Sequence, residues 1–296
     1  MARPHASSAE SGSVPGVRRA ALSPSRASDF MQCPLLYRYR TIDKLPEPPS
    51  PAAARGTLVH SVLERLFDVS APERTIEHAR TLIRPQWDAL VADEPELATL
   101  VAAGPDGMQQ WIDDAAALVG RWFTLEDPTR LEPAERELYV EAQVDGLTLR
   151  GYVDRLDVAP TGEVRVVDYK TGRSPSQLFE AKALFQMKFY ALVIWRTRGV
   201  VPRMLQLVYL GNSEIVRYEP EERDLVATER KVQALWAAIE RAAADGDWRP
   251  SPSRLCDWCS FRDICPAHGG TAPPLPEHAR ELAVDPVRSG AVADPE

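Results

Sequence analysis

The sequence predicts an α/β fold, a mixed central sheet flanked by helices. Three observations predict it. Residues 137–170 alternate apolar and polar with period two and are broken by two turn signals, Asp145-Gly146 and Ala159–Glu163, so they read as three consecutive strands. Apolar residues three and four apart mark helices before this block and after it. Two further apolar runs, Met204–Leu210 and Ile215–Tyr218, read as strands lying between the later helices.

In order, residues 1–20 are rich in Ser, Gly, Pro and Arg without apolar periodicity and are expected to form a disordered arm. Ser23-Pro24 is an N-cap residue followed by proline at the first helical position, so order starts there and a helix runs to Met31 or Gln32, before Cys33-Pro34. Leu35–Arg40 is rich in Tyr and Arg, and Leu45–Ala54, rich in Pro and Ala, is expected as a loop. From Thr57 the pattern is helical, with Leu58, Val59, Val62, Leu63, Leu66 and Phe67 on the apolar side and His60 and Glu64 sharing a face. Residues 73–125 read as further helices with Trp87, Leu90, Leu97, Trp111, Leu118, Trp122 and Phe123 for packing; this acidic stretch carries no chemical motif and is expected as a helical insertion. The strands Glu137–Val144, Leu147–Val158 and Val164–Lys170 follow. Next come a helix from Pro175 or Ser176 to Arg198, the two later strands, and a helix Glu221–Asp245 with Leu225, Val232, Leu235, Trp236 and Ile239 on its apolar side. A cysteine-bearing segment spans Pro250–His268, and residues 269–296, rich in Pro, Ala and acids, are expected as a disordered tail.

A chain of 296 residues can bury a full core. No run approaches the eighteen or so apolar residues of a membrane span, and the N-terminus lacks a signal-peptide core, so no membrane association and a cytoplasmic location are expected. The net charge of -8 speaks against a nucleic-acid partner, but its distribution does not. Residues 168–203 hold seven Lys or Arg against two acids, and residues 1–60 hold eight against four. That is the balance of a basic groove on an acidic body.

The hairpin around Ala159–Glu163 carries the chemistry. If Val158 pairs with Val164, Asp157 falls opposite Arg165, a favourable pair, and Asp154 falls opposite Asp168, where two like charges destabilise the sheet. A divalent cation is the economical compensation. Lys170 lies two residues beyond Asp168 and projects from the same face. A surface hairpin with scattered acids and a satisfied core His60 is the plain alternative.

Gly-Thr-Leu-Val-His (56–60), Gly-Tyr-Val-Asp-Arg-Leu-Asp (151–157), Asp-Tyr-Lys-Thr-Gly (168–172) and Gln-Met-Lys-Phe-Tyr (186–190) occur in one order that resembles the PD-(D/E)XK nuclease superfamily, and within it the RecB-like exonuclease branch. The resemblance covers about residues 22–268 and implies a restriction-endonuclease-like core spanning 21–268. It implies that His60, Asp154, Asp168 and the Tyr169 main-chain carbonyl are metal ligands and that Lys170 positions or polarises the attacking water. Carboxylates suit Mg²⁺ or Mn²⁺, and one imidazole leans the site toward Mn²⁺. Gln186 and Tyr190, four apart on one helix face, are implied to contact substrate or to orient the site; an ordinary amphipathic helix is the alternative.

Cys256-x-x-Cys259-x₅-Cys265 supplies three thiolates and Cys33 a distant fourth. A zinc finger normally draws on two nearby pairs. The three-plus-one arrangement resembles the iron–sulfur members of the same branch and implies a [4Fe-4S] cluster acting as an Fe–S clasp between the two ends of the domain; Zn²⁺ in a Cys₄ site is the alternative. Arg26, Arg38 and Arg40 are candidate phosphate contacts and Tyr37 and Tyr39 candidate base-stacking residues, or all five pack around the cluster. No phosphate-binding loop of an ATPase motor is present in the sequence. The expectation is a metal-dependent DNA exonuclease acting on single-stranded ends in repair or recombination, with a helicase or recombination partner. The other reading is a non-catalytic nuclease-fold module that binds DNA beside a helicase or CRISPR-adaptation machinery.

Overall fold

A computed structural model describes residues 20–102, 106–174 and 177–284, without the side chains of 177–181. All but one of residues 1–20, the expected arm, therefore lie outside the described residues. The first described element is a two-residue strand, β1 (Ala21–Leu22), which the sequence did not announce. Ser23 then caps α1 (Pro24–Gln32) by accepting from the Arg26 N–H, with Pro24 at the first position. After Cys33 the short α2 (Pro34–Tyr37) runs into a single wide turn at Arg38–Ile42.

Helix α3 spans Pro51–Leu66 and so begins six residues before the expected Thr57. The reason is again Ser-Pro: Ser50 accepts from the Ala53 N–H and Pro51 sits at the first position, which converts the end of the expected Leu45–Ala54 loop into the first helical turn. Helices α4 (Ile76–Asp93) and α5 (Gly107–Leu125) pack on α3, burying Leu97, Trp87, Trp111, Leu118 and Trp122 between them.

Six strands form one mixed sheet. Strand β2 (Glu135–Val144) and β3 (Leu147–Val158) make an antiparallel hairpin whose two-residue turn has positive φ at both Asp145 (49°) and Gly146 (83°), the geometry that favours Asp-Gly there. Because β2 lines one edge of β3 throughout, both other neighbours share the opposite edge. Strand β1 pairs in parallel at Thr148 and Leu149, and β4 (Val164–Lys170) pairs antiparallel at Arg155 to Val158. The expected pairs Val158–Val164 and Asp157–Arg165 are both present, and Arg165 Nη2 stands 2.8 Å from Asp157 Oδ2. Helix α6 (Gln177–Arg198) then carries the chain to β5 (Met204–Tyr209), which runs parallel to β4, and β6 (Glu214–Tyr218) closes the sheet antiparallel to it. A parallel neighbour needs such a crossover helix.

The sheet separates two apolar cores. On one side Val140, Leu149, Leu156, Val166 and Leu205 pack with α1, α2, α6 and α7 (Glu222–Asp245). On the other Val167, Tyr169, Val208 and Leu210 pack with α3, α4 and α5. Within the expected tail 269–296, α8 (Ala279–Val284) buries Ala279 and Ala283 in the first core and packs on α7, while residues 285–296 lie outside the described residues. Tyr37 Oη donates to the Ala283 carbonyl at 2.8 Å, so this short apolar face is held by a partner 246 residues away that local composition cannot reveal.

Candidate metal centre

The β2–β3 register, fixed by the closing pair Val144–Leu147, runs unbroken to Leu138–Val153 and resumes at Arg136–Arg155. Between them Glu137 stands opposite Asp154 without pairing, and Glu137 takes a φ of 43°, a conformation that costs a residue with a side chain about 1–3 kcal/mol. The β3–β4 ladder likewise stops at Arg155–Val167, one step before Asp154 and Asp168. Both ladders therefore give way at Asp154, and three carboxylates, Glu137, Asp154 and Asp168, fall in one row across three strands. The pleat is broken at the same place: Val153 belongs to the core on the α6 side, whereas Arg155, two residues on, hydrogen-bonds Tyr169 of the opposite core.

Asp154 turns sideways into the gap. Its Oδ2 accepts the Tyr169 N–H at 2.6 Å, replacing a ladder bond with a charged one. The same oxygen lies 3.6 Å from His60 Nδ1, and His60 Nε2 donates to the Tyr169 carbonyl at 3.0 Å. In that tautomer Nδ1 presents a lone pair to a carboxylate, an arrangement that a cation between them would resolve. Glu137 completes a trio with His60 and Asp154, whose ligand atoms all lie within 4.8 Å of one another. One imidazole and two carboxylates fit a hard or borderline divalent cation.

Asp168 stands outside that trio. Its carboxylate is buried and ion-paired with Lys170, whose Nζ lies 2.9 Å from Oδ2 and 3.1 Å from Oδ1. Lys170 Nζ also donates to Gln186 Oε1 at 3.0 Å, and Gln186 Nε2 reaches the Tyr190 hydroxyl at 3.4 Å. The helix pair Gln186–Tyr190 thus aims at Lys170, and Tyr190 is buried. Its ring lies over Gly151, where an added Cβ would come within 2.7 Å of Cε1; that explains the glycine of Gly-Tyr-Val-Asp.

Electrostatically the cluster is over-supplied with negative charge. Burial, with Asp154, Glu64 and Asp168 adding, pushes the Glu137 carboxyl up to about 8. Burial also pushes Asp168 up to about 6; Lys170 opposes this and Asp154 reinforces it. At neutral pH the site therefore retains a proton that a cation would displace.

Behind the site lies a buried polar network. Arg155, 1% exposed, donates from Nη1 and Nη2 to the two oxygens of Glu126 at 2.8 Å each and from Nη1 to the Tyr169 hydroxyl at 2.6 Å. Glu126, at the C-terminal end of α5, also accepts from Trp122 Nε1 at 2.9 Å and Gln206 Nε2 at 3.0 Å. The helical layer is thereby wired to the strands that carry Asp154 and Tyr169. Sequence reasoning passed over Glu137 and Arg155. Glu137 was legible, because Asp145-Gly146 fixes the hairpin register that puts it opposite Asp154; the partner of Arg155, 29 residues upstream, was not.

The four cysteines line one pocket between α1, α2 and the segment 250–268, with Tyr39 and Phe261. Backbone N–H groups of Ser251 and Ser253 point at the Cys33 and Cys256 sulfurs at 3.4 and 3.3 Å. Burial pushes the Cys259 thiol up, and the neighbouring thiols add to this. In the preceding segment Tyr37 and Tyr39 are buried and donate to the carbonyls of Ala283 and Ile264. Arg38 is buried and bonded to the Pro273 carbonyl, and Arg40 is paired with Asp29 and Glu47. Arg26 lies half-buried in the first turn of α1.

Comparison with known proteins finds a match to the model of the PD-(D/E)XK nuclease superfamily over residues 21–266. The Gene 69 protein of Mycobacterium phage D29 is 27% identical over 266 residues, covering 82% of this chain and 96% of its own. That of Mycobacterium phage L5 is 26% identical over 283 residues, covering 82% and 95%. Among solved structures, a candidate exonuclease from Eubacterium rectale superposes with a TM-score of 0.55 at 14% identity, over 88% of this chain and 92% of that one, a likeness of fold alone.

Proposed function

Since this chain belongs to the PD-(D/E)XK nuclease superfamily, whose members use divalent metals, we propose that it is a metal-dependent DNA nuclease acting through His60, Glu137, Asp154, Asp168 and Lys170. The observation that carries the reading is the gap in the sheet at Asp154, into which three strands and α3 deliver acids, an imidazole and a lysine. A divalent cation held by His60, Asp154 and Glu137, with Asp168 and the Tyr169 carbonyl adjoining, would supply Lewis acidity toward a phosphodiester. The chain's own groups do the rest. Tyr169 N–H fixes the Asp154 carboxylate, Lys170 places a positive charge beside Asp168, and Gln186, braced by Tyr190, holds the ammonium in that position. Arg26 is proposed as a phosphate contact.

The nuclease domain is taken as residues 21–268, with the helical layer as an insertion. Exonuclease action on single-stranded ends, a role in repair or recombination, and a helicase partner rest on the sequence resemblance to the RecB-like branch. A [4Fe-4S] cluster held by Cys33, Cys256, Cys259 and Cys265 rests on the same sequence resemblance, with Zn²⁺ in a Cys₄ site as the alternative; the four thiols line one pocket.

The test is degradation of end-labelled linear and circular single-stranded DNA with Mg²⁺ or Mn²⁺. Cleavage that vanishes with EDTA and in both Asp168→Asn and Lys170→Gln supports the assignment. Binding without cleavage across a metal series would replace it with a non-catalytic module.

A further inference from the structure

Two register steps from the carboxylate row, Tyr139 pairs across the hairpin with Tyr152. The flanking residues Leu138, Val140 and Val153 point into the core on the α6 side. Both tyrosines therefore face the other side of the sheet, the side on which α3 carries His60. They are 46% and 39% exposed, and their ring centroids lie 5.3 Å apart with planes tilted by 57°. Large exposed aromatic surface in mutual contact, beside a row of carboxylates, has no use in the fold beyond the modest stabilisation of a cross-strand pair.

The neighbouring row adds charge. Arg150 stands opposite Glu141, and Glu141 accepts the Tyr139 hydroxyl at 2.6 Å, so that acid already has a donor and a facing cation. The step from the tyrosine row to Glu137 and Asp154 is two residues along each strand, about 6.6 Å. That distance is of the order of one nucleotide. We propose that Tyr139 and Tyr152 form a stacking platform for the unpaired base next to the phosphodiester held at the carboxylate row, with Arg150 facing the strand's backbone beyond it. The occupant is a single strand because the bases of a duplex have their faces covered by their neighbours, whereas an unpaired base offers an open face to an aromatic ring.

The inference rests on the nuclease reading for its substrate, and the experiment separates the two. The full chain is titrated in EDTA against fluorescein-labelled oligo(dT), and against a strand of the same length built of abasic sites, with binding read by anisotropy. The paired substitution Tyr139→Ala with Tyr152→Ala is expected to weaken oligo(dT) binding about tenfold or more and to leave abasic binding unaltered. Tyr139→Phe with Tyr152→Phe is expected to restore wild-type binding. Tyr152→Leu, which keeps apolar bulk without a π face, serves where the alanine pair lowers the melting temperature, and it is expected to weaken oligo(dT) binding in the same sense. Equal losses on both strands, an unaffected affinity in the alanine and leucine variants, or no oligo(dT) binding by the wild type would overturn the platform. Tyrosine-dependent binding without metal-dependent cleavage would leave the platform standing and remove the nuclease reading.

Discussion

Replacing Glu126 with alanine would leave the two Nη groups of the buried Arg155 guanidinium without a carboxylate, with Asp157 at Nε its remaining ion-pair partner. The pair is 1% and 7% exposed at its side chains, so the roughly 0–1 kcal/mol of surface ion pairs does not apply. Breaking a buried pair from one side costs about 3–5 kcal/mol, because the remaining charge stays desolvated. Trp122 Nε1 and Gln206 Nε2 lose their acceptor in the same step, while Asp157 still faces Arg155 Nε at 3.1 Å, which keeps the expected loss within that range. Against the roughly 5–15 kcal/mol that holds a domain together, such a loss is severe. Urea denaturation of wild type, Glu126→Ala, Arg155→Met and the double variant closes a thermodynamic cycle. The double variant is expected to be more stable than Glu126→Ala alone. Burial pushes the Glu126 carboxyl up, but the Arg155 hydrogen bonds and charge outweigh it and hold the group below its ordinary value. Its contribution is therefore complete above the ordinary glutamate range and fades as pH falls through the folded-state value. A Glu126→Ala loss below about 1 kcal/mol at neutral pH, or additive single losses, would refute the reasoning.

Four further outcomes follow from the same geometry. Lys170→Gln is expected to lower single-turnover cleavage by about 10²–10³-fold, with binding of the strand less affected. Glu137 and Asp168 carry folded-state values raised to about 8 and about 6, so the metal-free protein binds more protons than the unfolded chain; its melting temperature in EDTA should fall as pH rises through that window, and Mn²⁺ binding in weak buffer should release protons. Gly151→Ala puts a Cβ 2.7 Å from the Tyr190 ring and should cost about 1–3 kcal/mol by urea unfolding, with reduced cleavage as Gln186 loses its brace. Anaerobically purified protein should contain iron and absorb broadly near about 400 nm, and Cys33→Ser should lose both and unfold at a lower temperature; a colourless wild type with stoichiometric zinc would reverse the cluster assignment.

How much of this was legible in the sequence depended on distance along the chain. The hairpin strands Leu147–Val158 and Val164–Lys170 match their expected limits, because alternation and turn residues are local signals. The Ser-Pro rule that located α1 applied equally at Ser50-Pro51, where the surrounding proline and alanine hid it. The expected register runs as far as Arg155–Val167 and stops one step short of Asp154 and Asp168, so cross-strand repulsion was only half the account. The strands part there, Asp154 takes the Tyr169 N–H, and Glu137 enters from the third strand. Strand β1, α8 and the Arg155–Glu126 pair escaped notice because each is defined by a partner far away in sequence. A two-residue strand and a six-residue helix have no periodicity of their own to read.

The closure of Tyr37 onto Ala283 also sets an order of events during synthesis. The segment that carries β1, α1 and Cys33 is made before the residues it meets across the fold: Thr148 and Leu149, then the cysteines of 256–265, then α8. Chains emerge at about 5–20 residues per second, so Tyr37 waits on the order of ten seconds or more for the Ala283 carbonyl, 246 residues on. A ribosome stalled between the two leaves a buried hydroxyl of the first core without its acceptor.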